Sequence, residues 1–454
     1  MINKVCIRLL FWSFVTITVL LVAGCGDEYD RVYKRLREHA GQIKVIDTHE
    51  HQRLPETYGE YSFGFYHLVA ASYLAADIRT AGGTGVSFRL ADSLGPDQLW
   101  ETYGRALDNS QATSYYGHFL RGFRKLYGFS DLFFTNENVK VLSSQIEENY
   151  RDYDAWFREA FRKSGFDLMF KDQHWDPFNT EIDTEYFALV FNINLLVSEA
   201  GKKPGQTDSL RSVYRRAAGE GFKIAGLDDY LSYCDHLFRL NIEKGAVAVK
   251  NSQAYSRTLN YEEVSYEEAK SLYDKPSASL SPEEVKKIED FLFQWIIEEA
   301  VRYDLPVQIH TGYLAGNGNS LENGRPVKLN NLFLKYPDAR FDLFHGGYPW
   351  TDEFVALGKM FPNVYLNLVW LPQISREKAV STLGTMLDCV PYNKILWGGD
   401  CHLIEESAGS LDYALDVVSE VLAERVCRGL LNEERALNIL DGIFRENARA
   451  LFKL

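Results

Sequence analysis

From residue 44 to the C-terminus, short apolar runs alternate with longer segments of helical periodicity. That is the pattern of an α/β protein built on a parallel sheet. The runs are Lys44–Asp47, Phe166–Phe170, Phe222–Leu227, Ala246–Lys250, Pro306–His310, Arg340–His345, Val364–Val369 and Lys394–Gly398. Eight strands in this rhythm predict a (β/α)8 TIM barrel over 44–454. The spacing is uneven, with roughly 110 residues between the first two runs. That stretch is rich in Tyr, Phe and Trp, and pieces such as Tyr115–Phe123 read as helix. It is expected to be a helical insertion after the first strand, at about 56–165, since no Pro-, Ser- or Gly-rich linker marks it off. Ser281, Pro282 and Glu283-Glu284 mark a helix start: a cap, a proline at the first position and acids in the first turn.

The N-terminus obeys different rules. Lys4 and Arg8 precede an apolar stretch, Leu9 to Val22, that ends in Leu21-Val22-Ala23-Gly24-Cys25. Small residues before a cysteine resemble the bacterial lipobox, in which the cysteine is lipidated and becomes the mature N-terminus; an uncleaved anchor is the alternative. Residues 1–24 are therefore expected to be a lipoprotein signal peptide, with the lipid on Cys25. Residues 25–43 would form a tether and an N-terminal helix. The protein would be exported and held on a membrane, with Gly26 favouring the outer membrane. Removal of Lys4 and Arg8 takes the formal charge from −14 to −16. An acidic surface of that size argues against nucleic acid as partner. Cys234, Cys389, Cys401 and Cys427 show no metal-binding spacing, and a chain this long needs no disulfide staples, so mostly free, buried thiols are expected.

Polar residues with metal-binding or acid–base chemistry stand where the strand patterns end. Asp47-Thr48-His49-Glu50-His51 follows the first run, and in extended backbone His49 and His51 point the same way. Lys250 ends the fourth run, His310 the fifth and His345 the sixth, and Asp400 follows the eighth. Taken singly, each has an ordinary explanation: a loop histidine, a solvated lysine, a helix cap. Together they converge, because in a TIM barrel the C-terminal strand ends meet over one pocket. Imidazole nitrogens and a carboxylate are the donors a catalytic zinc takes, with one position left open for water. Softer candidates are Asp228 and Asp229, Asp172, His174 and Trp175 near the mouth, and His402 beside Asp400. His39, His67, His118 and His236 read as structural or surface residues.

The ordered set resembles the amidohydrolase superfamily, in its amidohydrolase-related branch. The pieces are Asp47-Thr48-His49-Glu50-His51, His310-Thr311-Gly312, His345-Gly346-Gly347-Tyr348-Pro349 and Gly399-Asp400-Cys401-His402. Lys250-Asn251-Ser252-Gln253-Ala254-Tyr255-Ser256-Arg257 and the C-terminal Asn447-Ala448-Arg449-Ala450-Leu451-Phe452 look like the amidohydrolase domain of FluG-type proteins. The likeness covers the first strand and roughly 220–454, and leaves the insertion aside. No glutamine synthetase-like half accompanies it here, so glutamate chemistry is not inherited. It implies zinc or another divalent ion on His49, His51 and Asp400, with His310 the next ligand. His345 would bind a second ion, or act as general acid and oxyanion stabiliser. Lys250 would either bridge two ions as a carbamate or face an anionic substrate, with Arg257 beside it. The expected activity is hydrolysis of a C–N or C–O bond in a small polar, anionic molecule, with Asp400 as base. Decarboxylation or uronate isomerisation is the alternative chemistry. A non-catalytic lipoprotein that captures carbohydrate or peptide on the aromatic insertion is the alternative of another class.

Overall fold

The computed structural model describes residues 28–53, 62–200 and 212–454. The expected lipobox, Cys25 and the first residues assigned to the insertion lie outside the described residues. Eight strands form one sheet in sequence order. They are β1 (Val45–Glu50), β2 (Phe166–Asp172), β3 (Phe187–Asn192), β4 (Ala246–Asn251), β5 (Val307–Ile309), β6 (Phe341–Leu343), β7 (Val364–Asn367) and β8 (Ile395–Leu396). Every neighbouring pair is parallel. Backbone bonds between the first and last strand ends close the ring: Thr48 N–H to Trp397 O at 3.3 Å, Asp400 N–H to His49 O at 2.7 Å and His51 N–H to Cys401 O at 2.8 Å. The fold is the (β/α)8 barrel with a helical insertion after β1.

One strand is not where the sequence pattern put it. Phe222–Leu227 is not a strand; its last residue, Leu227, opens the helix Leu227–Glu243. The carboxylate of Asp229 accepts the N–H groups of Ala225 and Gly226 there, at 2.8 and 3.2 Å, and caps that helix start. The third strand is instead Phe187–Asn192, six buried residues in a row. A strand covered on both faces has no alternation to betray it. The predicted helix start at Ser281 holds: Ser281 Oγ accepts Glu284 N–H at 3.3 Å, and the Glu284 carboxylate accepts Ser281 N–H at 2.9 Å.

The described part of the insertion is seven helices, from Phe65–Ala71 to Tyr153–Ser164. It docks on the long helix Ile404–Cys427 through Ser114–Tyr127. Two glycines permit that crossing. A Cβ on Gly122 would lie 2.1 Å from the Glu405 carbonyl oxygen, and one on Gly409 would lie 2.0 Å from that of His118. Only a bare Cα lets two helix backbones approach so closely. Glu405, fully buried, receives Tyr127 O–H at 2.7 Å, Trp156 Nε1–H at 2.8 Å and Tyr150 O–H at 2.9 Å, so three insertion helices converge on one carboxylate. Residues 28–40 form a helix tied to the same long helix by Arg37–Asp412 at 2.6 Å and by Tyr33 to Asp416. Cys234, Cys389 and Cys401 are free thiols, the first and third buried. No described helix is long and apolar enough to cross a membrane.

Candidate metal centre

Beneath the mouth, one layer of the barrel interior is polar, apart from the apolar cluster of Ile46, Phe170, Val190 and Leu396. Thr48, Gln308, Asp342 and Asn367, from four different strands, are fully buried. Asn367 Nδ2 donates to Thr48 Oγ1 at 2.9 Å and to both Asp342 oxygens at 3.2 and 3.1 Å. Gln308 Nε2 donates to Asp342 at 3.1 Å and to the Thr48 carbonyl at 3.0 Å. Burial raises the Asp342 carboxyl to about 7. This layer fixes the backbone of Thr48, and so the neighbouring His49.

On top of it sit the predicted residues. Asp400 Oδ1 lies 3.4 Å from His49 Nε2 and 3.0 Å from His51 Nε2. His49, His51 and Asp400 each offer one donor atom, all within 4.8 Å of one another. His51 Nδ1 donates to the Asp172 carbonyl at 2.9 Å, which leaves its Nε2 lone pair free for an ion. His49 Nδ1 is buried with no partner among the described residues. Burial pushes Asp400 up, but hydrogen bonds and charge from His49 and His51 outweigh it and hold the carboxyl well below the usual range. Burial and then the Lys250 cation push His49 down to about 3, whereas the Asp400 carboxylate lifts His51 above its ordinary value against the opposing effect of burial. Asp400 is no helix cap: the N-cap of the helix that follows is Leu403.

A second imidazole pair stands beside the first. His310 Nε2–H donates to the Tyr313 carbonyl at 2.8 Å, so its Nδ1 presents a lone pair. His345 Nδ1–H donates to the Val369 carbonyl at 3.0 Å, so its Nε2 does the same. Those two nitrogens face each other at 2.9 Å. Facing lone pairs repel unless a proton or cation lies between them, and burial depresses both groups, His345 to about 4. The donor set of His49, His51 and Asp400 fits a divalent ion, and the His310–His345 pair adds two imidazole nitrogens beside it. His345, Trp370 and Asp400 all have φ near +60°, a cost that folds accept where side-chain placement matters.

Lys250 is buried, 3.4 Å from His49 Nε2 and over the Phe344 ring, and burial lowers its ammonium below the usual value. It opens into a cavity of about 370 Å³ whose lining also includes His51, His174, His310, Asp400 and His402. His174 approaches His51 at 3.3 Å, and the His402 ring stacks on that of His51 at 5.2 Å. Arg257, expected beside Lys250, is elsewhere. The short 3-10 turn Gln253–Tyr255 carries the chain away, and its guanidinium is engaged by Glu289, Asp290 and the Thr258 and Asn260 carbonyls. The other four histidines face carboxylates: His39 meets Asp441, His67 Asp92, His118 Glu406 and His236 Glu220.

Sequence reasoning missed Tyr73, Asn194 and Ala315 in the cavity lining. Tyr73, from the insertion, donates its hydroxyl to the Asp400 carbonyl and its N–H is held by Glu406 at 2.9 Å. Asn194 lies just past β3 and was hidden by the misplaced third strand.

The amidohydrolase family model matches residues 278–454. Protein fluG of Emericella nidulans is 33% identical over 151 residues, a stretch that takes in 33% of this chain and 17% of that protein. The likeness to the amidohydrolase family thus covers the C-terminal part of the barrel. Among solved structures, the barrel and its insertion resemble the glucuronate isomerase of Caulobacter crescentus, with TM-score 0.74, 15% identity and 94% of each chain covered. They also resemble the uronate isomerase of Thermotoga maritima, with TM-score 0.76, 15% identity, and 93% and 97% covered. At that identity the likeness is one of fold.

Proposed function

We propose that this barrel is a metal-dependent hydrolase of the amidohydrolase superfamily that cleaves a C–N or C–O bond in a small anionic molecule. The observation that carries the reading is the convergence of His49 Nε2, His51 Nε2 and Asp400 Oδ1 beside a cavity that His51 and Asp400 line. These three residues would hold a zinc or similar divalent ion, and His310 and His345 a second one. When bound, such an ion supplies Lewis acidity and a water whose pKa lies near neutrality. Asp400 turns Oδ1 to the histidines and leaves Oδ2 free, 3.9 Å from His345 Nδ1. That second oxygen takes the proton of the attacking water and returns it to the leaving group. Lys250 presents its ammonium to the substrate's anionic group from the cavity wall. His345, neutral near pH 7, suits the ligand role better than that of general acid.

A second reading, sugar-acid isomerisation, is favoured by one observation: the two isomerase structures match this chain over nearly its whole length, insertion included. Both readings need the same metal centre. Purified protein should hold one to two equivalents of divalent ion, about what such sites carry, and the His49→Ala, His51→Ala double variant should lose it. Full metal retention in that variant overturns the site. Metal-replete protein should then turn over a lactone, ester or amide of a small carboxylic acid; turnover of free uronates alone would select the isomerase reading.

A further inference from the structure

A larger cavity, of about 590 Å³, lies beside the one that holds the metal ligands. The insertion supplies one wall, through Asp77 and the segment 112–115. Tyr313 after β5, Tyr348 after β6, residues 374–377 after β7 and Tyr413 of the long C-terminal helix supply the other. A pair of stacked rings partitions the two cavities. Tyr73 faces the inner cavity and stacks on Tyr115, which faces the outer one, with centroids 5.5 Å apart and planes 20° from parallel. Trp370 closes the seam, 4.6 Å from Tyr73 and 5.7 Å from Tyr313. Along the loop after β5, Tyr313 turns outward and Ala315 inward.

The lining specifies a chemistry. Tyr115, Tyr313, Tyr348 and Tyr413 bring four phenol hydroxyls, none with a hydrogen-bond partner among the described residues. Asp77 and Glu377 make the rim acidic. Arg376, the lining cation, is committed to Asp416 and Glu420. An anion is disfavoured by that charge. A pure hydrocarbon would leave four hydroxyls without partners. A neutral polyhydroxylated ring satisfies both demands: its hydroxyls pair with phenols and carboxylates, and its C–H faces lie against aromatic rings.

We propose that the outer cavity is a binding site for a neutral sugar ring. On the hydrolase reading above, on which this extension rests, that ring is the non-reacting part of a substrate whose anionic head enters the inner cavity.

Binding is testable without turnover. Maltose, cellobiose and N,N′-diacetylchitobiose would be titrated into the protein by calorimetry and saturation-transfer NMR, with and without divalent metal. At least one should bind, equally well in both states. Tyr313→Phe and Tyr348→Ala, both at half-buried positions, should each weaken it by about tenfold, the scale of one lost ring or hydroxyl contact. Lys250→Met, in the inner cavity, should leave it unchanged. Circular dichroism verifies that each variant folds. Failure of all three sugars to bind overturns the proposal, as does binding that Lys250→Met abolishes and the tyrosine variants spare. Sugar binding with no metal-dependent turnover would keep the outer site and reject the reading of the inner one.

Discussion

Removing the Glu405 side chain should loosen the insertion from the barrel. The carboxylate is fully buried and accepts Tyr127 O–H, Tyr150 O–H and Trp156 Nε1–H at 2.7, 2.9 and 2.8 Å, one from each of three insertion helices. Stranding a buried donor costs about 1–3 kcal/mol. The phenols can rotate their hydrogens to other acceptors, but the indole N–H has no rotor. Glu405→Ala should therefore destabilise by roughly 3–6 kcal/mol, once that relief and the new cavity are both counted. Glu405→Gln keeps one acceptor oxygen, and the Tyr150 oxygen can accept its new amide N–H, so its cost should be nearer 1 kcal/mol. Urea unfolding followed by far-UV circular dichroism measures both. Hydrogen exchange localises the effect: peptides from 114–164 should lose protection before those of β4 to β7. A Glu405→Ala cost below about 1 kcal/mol, or a Gln variant as unstable as the Ala one, would refute the account of this carboxylate as the insertion's anchor.

Asp400→Asn retains a weak donor oxygen and the fold but removes the base, so kcat should fall by about 10²- to 10⁴-fold; near-wild-type kcat rules the mechanism out. Burial holds the Lys394 ammonium down to about 8 from its ordinary 10.5, so the unfolded chain binds that proton more tightly between those values. Stability should accordingly rise with pH from 8 to 10.5 by a contribution that Lys394→Met lacks. Denaturation curves at several pH values should show the wild type gaining on the variant, and a constant difference contradicts this. Cys25→Ser should release the protein from membranes or leave its leader unprocessed, and normal processing with membrane retention removes the lipoprotein proposal.

The metal centre was legible because barrel geometry turns a one-dimensional rule into a three-dimensional one. Polar residues at strand C-termini must meet, so the strand pattern alone gathers His49, His51, Lys250, His310, His345 and Asp400. The misreadings have physical causes. Phe222–Leu227 mimics a strand but runs into a glycine-opened helix, while the buried run Phe187–Asn192 carries no alternation. Arg257 sits seven residues past Lys250, yet what decides its direction is a tight turn and two carboxylates on the helix Pro282–Arg302. Tyr73, Tyr115 and Trp370 form a wall only because the insertion docks on the mouth, and that docking depends on Gly122, Gly409 and Glu405, whose partners are remote in sequence.

The ring of strands closes between its first and last members, and that seam carries the donor set. Thr48 and Trp397, which bond across it, are 349 residues apart in the chain. During synthesis, His49 and His51 therefore emerge long before the carboxylate that completes their set. A nascent or truncated chain ending before Asp400 has neither a closed barrel nor a full complement of donors. Ion capture would therefore require that the last strand has docked on the first, and a bound ion at the seam would resist its reopening. An ion held by His49, His51 and Asp400 would act as the clasp of the barrel, and withholding metal should weaken the fold first at the junction of β8 with β1.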